Sequence, residues 1–323
     1  MPNPRSSRYS SRLFTIVAVS ALSAASALAQ VRDYTRIVVF GDSLSDTGNV
    51  AHLTLAKYGV PVPSFIGGNY TLGRFTDGYD TIPAANSYFG VWVEQLSASI
   101  PSHPAVTNSL DGGTDYAYGF ALTGGGTSTL QLAGGQVSVD VENMGRQVTD
   151  YLATHPRINN KTLFIVWGGA NDVLTATSPT QIVNAAIQEI LDIQRLIAAG
   201  ATQIMVLNLP PLGLTPRLNA SLATSGPANA AAALYNSWLA TGVSVLNDFY
   251  RWRHVAVYPV NVFALFNQIA ADQAAASLAN ITNPAQGNFN VNPDTYLFWD
   301  DLHPTTRGHN LLAEAALKAL PAQ

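Results

Sequence analysis

Three short polar segments lie where the pattern of the chain predicts strand ends, and together they contain the side chains that could do chemistry. They are residues 41–46 (GDSLSD), 168–172 (GGAND) and 298–309 (FWDDLHPTTRGH). In a sheet of parallel strands the carboxyl ends of the strands lie at one edge, and such sheets bind their ligands there. The positions of the three segments therefore predict one shared site.

The residue types in these segments are those that acyl transfer needs. A serine hydroxyl is a weak nucleophile, so Ser43 needs an adjacent base to take its proton. His303 can be this base, and Asp300, three residues earlier, can hold its ring in one tautomer. The oxyanion of the tetrahedral intermediate needs fixed donors. The main-chain N–H of Ser43 and the side-chain amide of Asn171 could supply them.

Each segment also has a purely structural interpretation. A glycine turn with Asp and Ser could simply cap a helix, and the other two segments could satisfy backbone groups or form surface loops. Asp42 and Asp46 could bind a metal ion. We expect instead a hydrogen-bonding pair that steadies the turn and caps the next helix, because no further Asp or His cluster has ligand spacing. The chain has no cysteine, and we predict neither a metal ion nor another cofactor.

The acid partner of His303 is either Asp300 or Asp301, which are adjacent in the sequence. An offset of three residues closes a turn with the two side chains facing each other. An offset of two residues in an extended loop does so less readily. We therefore predict that Asp300 is the partner.

The three segments resemble sequence blocks of the GDSL esterases and lipases, the SGNH hydrolase superfamily. FGDSLSDTGN at 40–49 resembles the first block of that family, GGANDV at 168–173 its Gly-x-Asn-Asp block, and WDDLHPT at 299–305 its Asp-x-x-His-Pro-Thr block. Their order and spacing match over nearly the whole chain after residue 29. The resemblance implies a flavodoxin-like α/β fold and the following roles: nucleophile Ser43, base His303, orienting acid Asp300 and oxyanion donor Asn171.

A further block of that family departs from its usual sequence here. The family has a segment similar to Asn-Tyr-Ala-x-Gly-Gly-Ala, in which a glycine donates its backbone N–H to the oxyanion. This chain reads DYAYGFA at 115–121, with Asp115 in place of Asn and Phe120 where the second Gly would stand. A main-chain N–H survives both substitutions. The resemblance therefore implies an oxyanion donor at Gly119, with Phe120 as the competing residue.

Apolar runs typical of strands alternate with longer helical patterns after residue 30. The predicted strands are 36–40, 116–122, 163–167, 203–207 and 255–260, and the predicted helices are 91–100, 139–155, 179–199, 229–251, 262–276 and 305–320. This alternation indicates βαβ units, and hence a three-layer α/β/α sandwich around a mostly parallel sheet. We predict a single domain over residues 30–323. The irregular stretch 59–88 is expected to be a long insertion over one face of the sheet.

Composition excludes some classes of protein and predicts export. Of the 323 residues 11% are charged, and the net charge of −4 is unlike that of a nucleic-acid-binding protein. Near the N-terminus, arginines precede an apolar run that ends in Ala27-Leu28-Ala29, the small-residue pattern of a cleavage site. We predict a signal peptide over residues 1–29, a secreted or periplasmic product, no nucleic-acid partner and no stable membrane insertion.

A secreted serine ester hydrolase is the leading hypothesis, with a small-molecule, lipid or acetylated carbohydrate ester as its substrate. The alternatives are an acyltransferase or phospholipase that uses the same residues, and an inactive binding module with the same fold. Acyl groups of about two to eight carbons are expected, because the stretch 59–88 is broken by Pro and Gly and its aromatic residues suit a wet cleft.

Overall fold

Strands and helices alternate along the described part of the chain, which in the computed structural model comprises residue 1 and residues 34–63, 70–78, 88–100, 104–132 and 136–321. The strands are β1 (Arg36–Gly41), β2 (Thr127–Leu132), β3 (Val137–Glu142), β4 (Thr162–Trp167), β5 (Gln203–Leu207), β6 (Ala256–Val260), β7 (Asn280–Pro284) and β8 (Tyr296–Phe298). The helices are α1 (Asn49–Tyr58), α2 (Trp92–Ser99), α3 (Met144–Thr154), α4 (Ala170–Thr175), α5 (Pro179–Ala198), α6 (Leu222–Tyr250), α7 (Val262–Ala271) and α8 (Thr306–Ala319). Apart from its first residue, the predicted signal peptide lies outside the described residues and stays a prediction.

Four parallel strands form the central sheet in the order β1-β4-β5-β6. Leu163, Gln203 and Ala256 are in register across the last three of them. β1 and β4 are apolar runs that are buried at almost every position, as expected for parallel strands covered by helices on both faces. The four strands predicted for this sheet are confirmed to within one residue at each end.

Helices cover both faces of the sheet, so the chain forms three layers. Ile37 and Val39 of β1 pack in one apolar core with α2, α7 and α8. Val38 and Phe40 pack in a second core with α3, α5 and α6. Neighbouring residues of a strand point to opposite faces, so a single strand supplies both cores. The predicted α/β/α sandwich around a parallel sheet is confirmed.

Residues 116–122 form no strand, which corrects the prediction there. Asp115 makes isolated parallel bridges to Val39, at the outer edge of β1, and to Asn108, and the chain then turns at Gly119 and Phe120. The N–H of residue 119 donates to a side chain instead of a strand. The N–H of Tyr118 still donates to the O of Gly41 (3.3 Å), but no regular strand forms beside β1.

The helix predicted at 139–155 is wrong in its first part, because residues 137–142 form β3 and α3 begins at Met144. Val137, Val139 and Val141 are buried and alternate with more exposed polar residues, which is the period of a strand. β3 pairs with β2 as an antiparallel ribbon, and this partner fixes its conformation.

The other predicted helices are confirmed, with two shifts at their ends. α6 begins at Leu222 instead of residue 229 and includes Pro227. α7 ends at Ala271 instead of residue 276, because the carboxylate of Asp272 accepts a hydrogen bond from the N–H of Ala275 and starts a turn. In the described part of the chain, no helix combines the length and hydrophobicity that a membrane span requires.

Residues 70–78, a part of the predicted insertion, lie against the start of α8. The hydroxyl of Thr76 donates to the main-chain O of Pro304 (2.9 Å). Asp77 accepts hydrogen bonds from the N–H and the hydroxyl of Thr306 (2.5 and 3.1 Å). The 70–78 segment thereby holds the loop that joins β8 to α8. Residues 64–69 and 79–87 of the insertion lie outside the described residues.

Candidate active site

Ser43 lies in a tight turn directly after β1, which we name the serine turn (residues 41–46). The main-chain O of Asp42 accepts a hydrogen bond from the N–H of Asp46 (3.1 Å). The carboxylate of Asp42 accepts another from the N–H of Leu44 (3.0 Å). These bonds place Ser43 at the carboxyl end of β1, with only 6% of its surface exposed.

The end of β1 is fixed by Gln147 of α3. Its side-chain amide accepts a hydrogen bond from the N–H of Gly41 and donates one to the O of the same residue, both at 2.9 Å. A Cβ atom at Gly41 would lie 2.5 Å from the carbonyl oxygen of Trp167, so the position requires glycine. Gln147 is fully buried, and the sequence analysis did not identify it. The feature that could have indicated its role is a polar residue on the apolar face of a helix.

Ser43, His303 and Asp300 form a continuous hydrogen-bonded chain. Nε2 of His303 lies 2.9 Å from Oγ of Ser43, and Nδ1 lies 2.7 Å from Oδ2 of Asp300. The other carboxylate oxygen accepts hydrogen bonds from the N–H groups of Leu302 (2.7 Å) and His303 (2.6 Å). The structure therefore brings together the three residues that the sequence predicts for nucleophile, base and acid.

Asp301 points away from this chain. Its two carboxylate oxygens accept hydrogen bonds from Nε and Nη2 of Arg217, both at 2.9 Å, on the protein surface. The two adjacent aspartates thus have different partners, and only Asp300 reaches His303.

The surroundings of Asp300 keep its carboxylate charged. Burial opposes the charge, but the electrostatic interaction with His303 and the hydrogen bonds from His303 and Leu302 outweigh it and hold the pKa of Asp300 well below its usual range. A charged Asp300 accepts the proton on Nδ1, which leaves Nε2 to accept the hydroxyl proton of Ser43. The arrangement can therefore remove that proton when Ser43 attacks a carbonyl carbon.

Asn171 enters the site from the first turn of α4, directly after β4. Gly169 precedes this helix with a φ of 94°, and a Cβ atom there would lie 2.3 Å from the ring of Tyr235. One N–H of the Asn171 amide donates to the O of Ala121 (3.0 Å), and the other has no partner among the described residues. Asn171 lines the same cavity as Ser43. Its second N–H can therefore meet a substrate.

Gly119 is not available as an oxyanion donor, which corrects the prediction for this residue. Its N–H donates to Oδ2 of Asp46 at 2.9 Å. Phe120 follows with a φ of 70°, in the left-handed region that favours glycine. Within the described residues, neither the N–H of Phe120 nor that of Ser43 makes a hydrogen bond. These two N–H groups are the main-chain candidates.

The carboxylates of the serine turn are used as acceptors for the backbone. Asp46 accepts hydrogen bonds from the N–H groups of Gly48 (2.8 Å), Asn49 (2.7 Å) and Val50 (3.3 Å) at the start of α1. Burial raises the pKa of Asp42 and of Asp46 to about 6, although backbone hydrogen bonds oppose the shift. This matches the expected hydrogen-bonding role. In the described ranges, no group of three His, Asp or Glu side chains is arranged to hold a metal ion.

Two aromatic residues of the 70–78 segment contact the histidine and its acid partner. The hydroxyl of Tyr70 donates to Oδ2 of Asp300 (2.9 Å). The ring of Phe75 packs on the ring of His303, with centroids 5.2 Å apart. Sequence reasoning missed both roles, because aromatic residues in an irregular stretch carry no signal that distinguishes a site contact from packing.

An apolar cavity opens beside Ser43. Its space is about 480 Å³ when the open solvent at the mouth is included, and only a small part of this space is enclosed. The apolar side chains of its wall come from the ends of several elements: Leu44, Trp167, Leu212, Phe266, Phe298 and Leu302. The cavity can hold an apolar group attached to the carbonyl carbon that Ser43 would attack.

Two bacterial proteins are similar to this chain over most of its length. It is 26% identical over 294 residues to the secreted effector protein SseJ of Salmonella typhimurium, with 87% of this chain and 62% of that protein covered, so it spans less than two thirds of that relative. It is 25% identical over 338 residues to the phosphatidylcholine-sterol acyltransferase of Aeromonas hydrophila, with 90% and 91% covered. Among solved structures it is similar to an extracellular lipase from Streptomyces rimosus (15% identity, TM-score 0.42, 88% and 100% covered). A model of the GDSL-like lipase/acylhydrolase family matches residues 37–316, which include all three segments of the site, and the chain belongs to this family.

Proposed function

We propose that this protein is a carboxylic ester hydrolase that works through an acyl-enzyme on Ser43. The observation that supports this most is the hydrogen-bonded chain from Ser43 through His303 to Asp300 at an apolar cavity. A binding protein has no need for these three buried side chains in this arrangement. The geometry therefore favours catalysis over an inactive binding module.

In the first half of the proposed reaction, Oγ of Ser43 attacks the ester carbonyl carbon while Nε2 of His303 takes its proton. Asp300 stabilises the imidazolium that forms. The oxyanion is met by the N–H groups of Ser43 and Phe120 and by the amide of Asn171. His303 then gives the proton to the ester oxygen as the C–O bond breaks, so the alcohol leaves and the acyl group stays on Ser43.

In the second half, water replaces the alcohol. His303 takes a proton from the water as its oxygen attacks the acyl carbon, and the same donors stabilise the second oxyanion. The proton passes to Oγ of Ser43 when its bond to carbon breaks. The carboxylic acid leaves and the free enzyme is restored.

The cavity suggests which acyl groups fit. Trp167, Phe266 and Phe298 form bulky parts of its wall beside Ser43. We propose acyl groups of about two to eight carbons, because these bulky side chains leave little enclosed space beside Ser43.

Transfer of the acyl group to an alcohol is the second candidate, because a relative that this chain matches almost from end to end is named an acyltransferase. The same acyl-enzyme serves both reactions, and only the acceptor differs. The predicted export is likewise a proposal, to which the name of the Salmonella relative, a secreted effector, adds support.

The test compares wild type, Ser43→Ala and the surface control Ser237→Ala. We expect a fluorophosphonate probe to label wild type and the control, and p-nitrophenyl acetate to be hydrolysed by both. Ser43→Ala should fold, with an unchanged circular dichroism spectrum, and lose both reactions. Labelling that persists in Ser43→Ala would show that another serine is the nucleophile and would reject the proposal.

Two additions to this assay decide the finer points. A series of p-nitrophenyl esters tests the chain length, and a kcat/KM that keeps rising beyond about ten carbons would contradict the short-chain proposal. Added alcohols test the acceptor. An ester product that outweighs the free acid would make the protein an acyltransferase.

A further inference from the structure

One carboxylate oxygen of Asp300 serves two donors at once. Oδ2 accepts Nδ1–H of His303 at 2.7 Å and the hydroxyl of Tyr70 at 2.9 Å. Tyr70 lies 230 residues before Asp300 and outside every segment that resembles a family block. A residue of the insertion therefore contacts the atom that orients the base.

We propose that Tyr70 is a positioning residue whose hydroxyl holds Asp300 against His303 and limits how strongly Asp300 stabilises the protonated imidazole. This inference rests on the proposed function, in which His303 is the base. A carboxylate oxygen that accepts a second hydrogen bond has less negative charge to offer the first donor. Tyr70 thus affects both the orientation and the basicity of the pair.

The phenol is fixed and can act only as a donor towards Asp300. Burial and the negative charge of Asp300 raise the pKa of Tyr70, so its hydroxyl keeps its proton. The ring stands edge-on to that of Trp299, with centroids 6.3 Å apart and planes at 82°. The hydroxyl is therefore held in place before any substrate arrives.

The 70–78 segment is tied to the same loop at other points, which separates the role of the hydroxyl from that of the segment. Thr76 bonds to Pro304 and Asp77 bonds to Thr306, and neither bond involves Asp300. The oxygen Oδ1 of Asp300 keeps its two main-chain donors whatever stands at position 70. Removal of the hydroxyl alone should therefore change the charge on Oδ2 more than the position of the loop.

Other charged and titratable groups face this pair from the neighbouring elements. Arg217, paired with Asp301, faces Asp300 and Tyr70 from the surface. Asp42 faces His303 from the serine turn, and His309 faces it from α8. Replacement of Tyr70 by phenylalanine leaves all of these in place, so a change in pH dependence would come from the lost hydroxyl.

The experiment measures the pH dependence of fluorophosphonate inactivation and of kcat/KM for p-nitrophenyl acetate in wild type and Tyr70→Phe. We expect the rate to fall about tenfold on the alkaline plateau, because Asp300 loses one of the hydrogen bonds that hold it against His303. The acid limb should move up by about half a pH unit, because more negative charge is left to stabilise the protonated form of His303. KM should stay within about twofold of wild type, because Tyr70 acts on the base and not on the bound ester.

Two control variants make the readout specific. Tyr258→Phe removes a phenol that donates to Gln203 (2.6 Å) in the central sheet, and both the rate and the acid limb should match wild type. Thr76→Ala loosens the 70–78 segment but keeps the Tyr70 hydroxyl, so it should lower the rate without moving the limb. A Tyr70→Phe profile that matches wild type, or that loses rate with an unmoved limb, would overturn the proposal. A wild-type protein that does not react with the probe would reject the proposed function and this inference with it.

Discussion

The serine turn and the loop between β8 and α8 meet at the site, and the buried aspartates of the two loops have pKa values shifted in opposite directions. In the serine turn, Asp42 and Asp46 accept main-chain N–H bonds, and burial raises the pKa of each to about 6. In the loop between β8 and α8, Asp300 is buried to a similar extent, yet its pKa is lowered. The difference lies in the partner, because Asp300 interacts with the His303 ring in addition to accepting main-chain N–H bonds, and this interaction offsets the cost of burying its charge. Asp42 and Asp46 hold the backbone, whereas Asp300 orients the imidazole that would take the proton.

The two loops are also supported from different parts of the chain. The serine turn leads into Thr47, whose N–H and hydroxyl donate to Asp115 beside the central sheet (2.8 and 2.7 Å). The loop before α8 is held by the 70–78 segment of the insertion. An insertion can therefore alter the behaviour of the base while the fold that carries the nucleophile stays the same.

The largest expected effect tests whether Asp300, and not Asp301, orients His303 as the base. Asp300→Asn should lower kcat by about 10⁴-fold, because asparagine favours the wrong tautomer of His303, while the protein still folds. Asp301→Asn is the matched control and should stay within about threefold of wild type, since its partner Arg217 is on the surface. Esterase kinetics on both variants check this. A larger loss at Asp301 than at Asp300 would reverse the assignment.

The next largest effect concerns Asn171, a proposed oxyanion donor that lies in neither of the two loops. Asn171→Ala should lower kcat by about 10²–10³-fold, the usual size for one lost oxyanion donor, with little change in KM. Asn184→Ala, at an exposed position of α5, is the control and should match wild type. Steady-state kinetics and thermal unfolding separate the possibilities. Normal turnover in Asn171→Ala would exclude the residue from the site, and failure to fold would make its role structural.

The central fold was predictable because each of its strands has a local sequence pattern that is typical of a buried parallel strand. β1, β4 and β5 are short apolar runs bounded by polar or glycine residues, and parallel strands buried on both faces have this composition. Residues 137–142 were harder, since an apolar spacing that also fits a helix is resolved only by pairing with β2. Long-range pairing decides such segments, and a single sequence does not display it.

The residues of the site likewise fall into those that a local pattern predicts and those that depend on long-range contacts. Ser43, Asn171 and the Asp300–His303 pair follow strand ends or a fixed local offset, so their types and spacing suffice to find them. The free main-chain donor depends instead on a contact across 73 residues, where Asp46 takes the N–H of Gly119. A contact across 230 residues likewise brings Tyr70 to Asp300. Both depend on tertiary structure that no local pattern encodes.

The comparison of the two loops predicts opposite responses of stability to pH. On the side of α8, His309 is fully buried, and its Nδ1 accepts the N–H of Trp92 (3.2 Å). Burial lowers the pKa of His309 from 6.5 to about 3. Its neutral form therefore contributes stability above pH 6.5 that is lost as the pH falls towards 3. His309→Asn keeps an acceptor but does not titrate. The variant has a lower free energy of unfolding than wild type, and this difference should shrink by about 3 kcal/mol between pH 7 and pH 4, because wild type loses stability as the pH falls.

On the side of the serine turn the sign is reversed. The pKa of Asp46 rises from 3.8 to about 6 on folding, so its contribution to stability is complete below pH 3.8 and is lost as the pH rises through 6. Asp46→Asn does not titrate. Its free energy of unfolding should lie below that of wild type by an amount that shrinks by about 2 kcal/mol from pH 4 to pH 7, because wild type loses stability as the pH rises. This direction is opposite to that of His309→Asn. Urea unfolding of wild type, both variants and the exposed control Asp248→Asn at each pH measures the free energies of unfolding. Deficits that shrink in the same direction for both variants would show that the two loops do not differ as their buried groups imply.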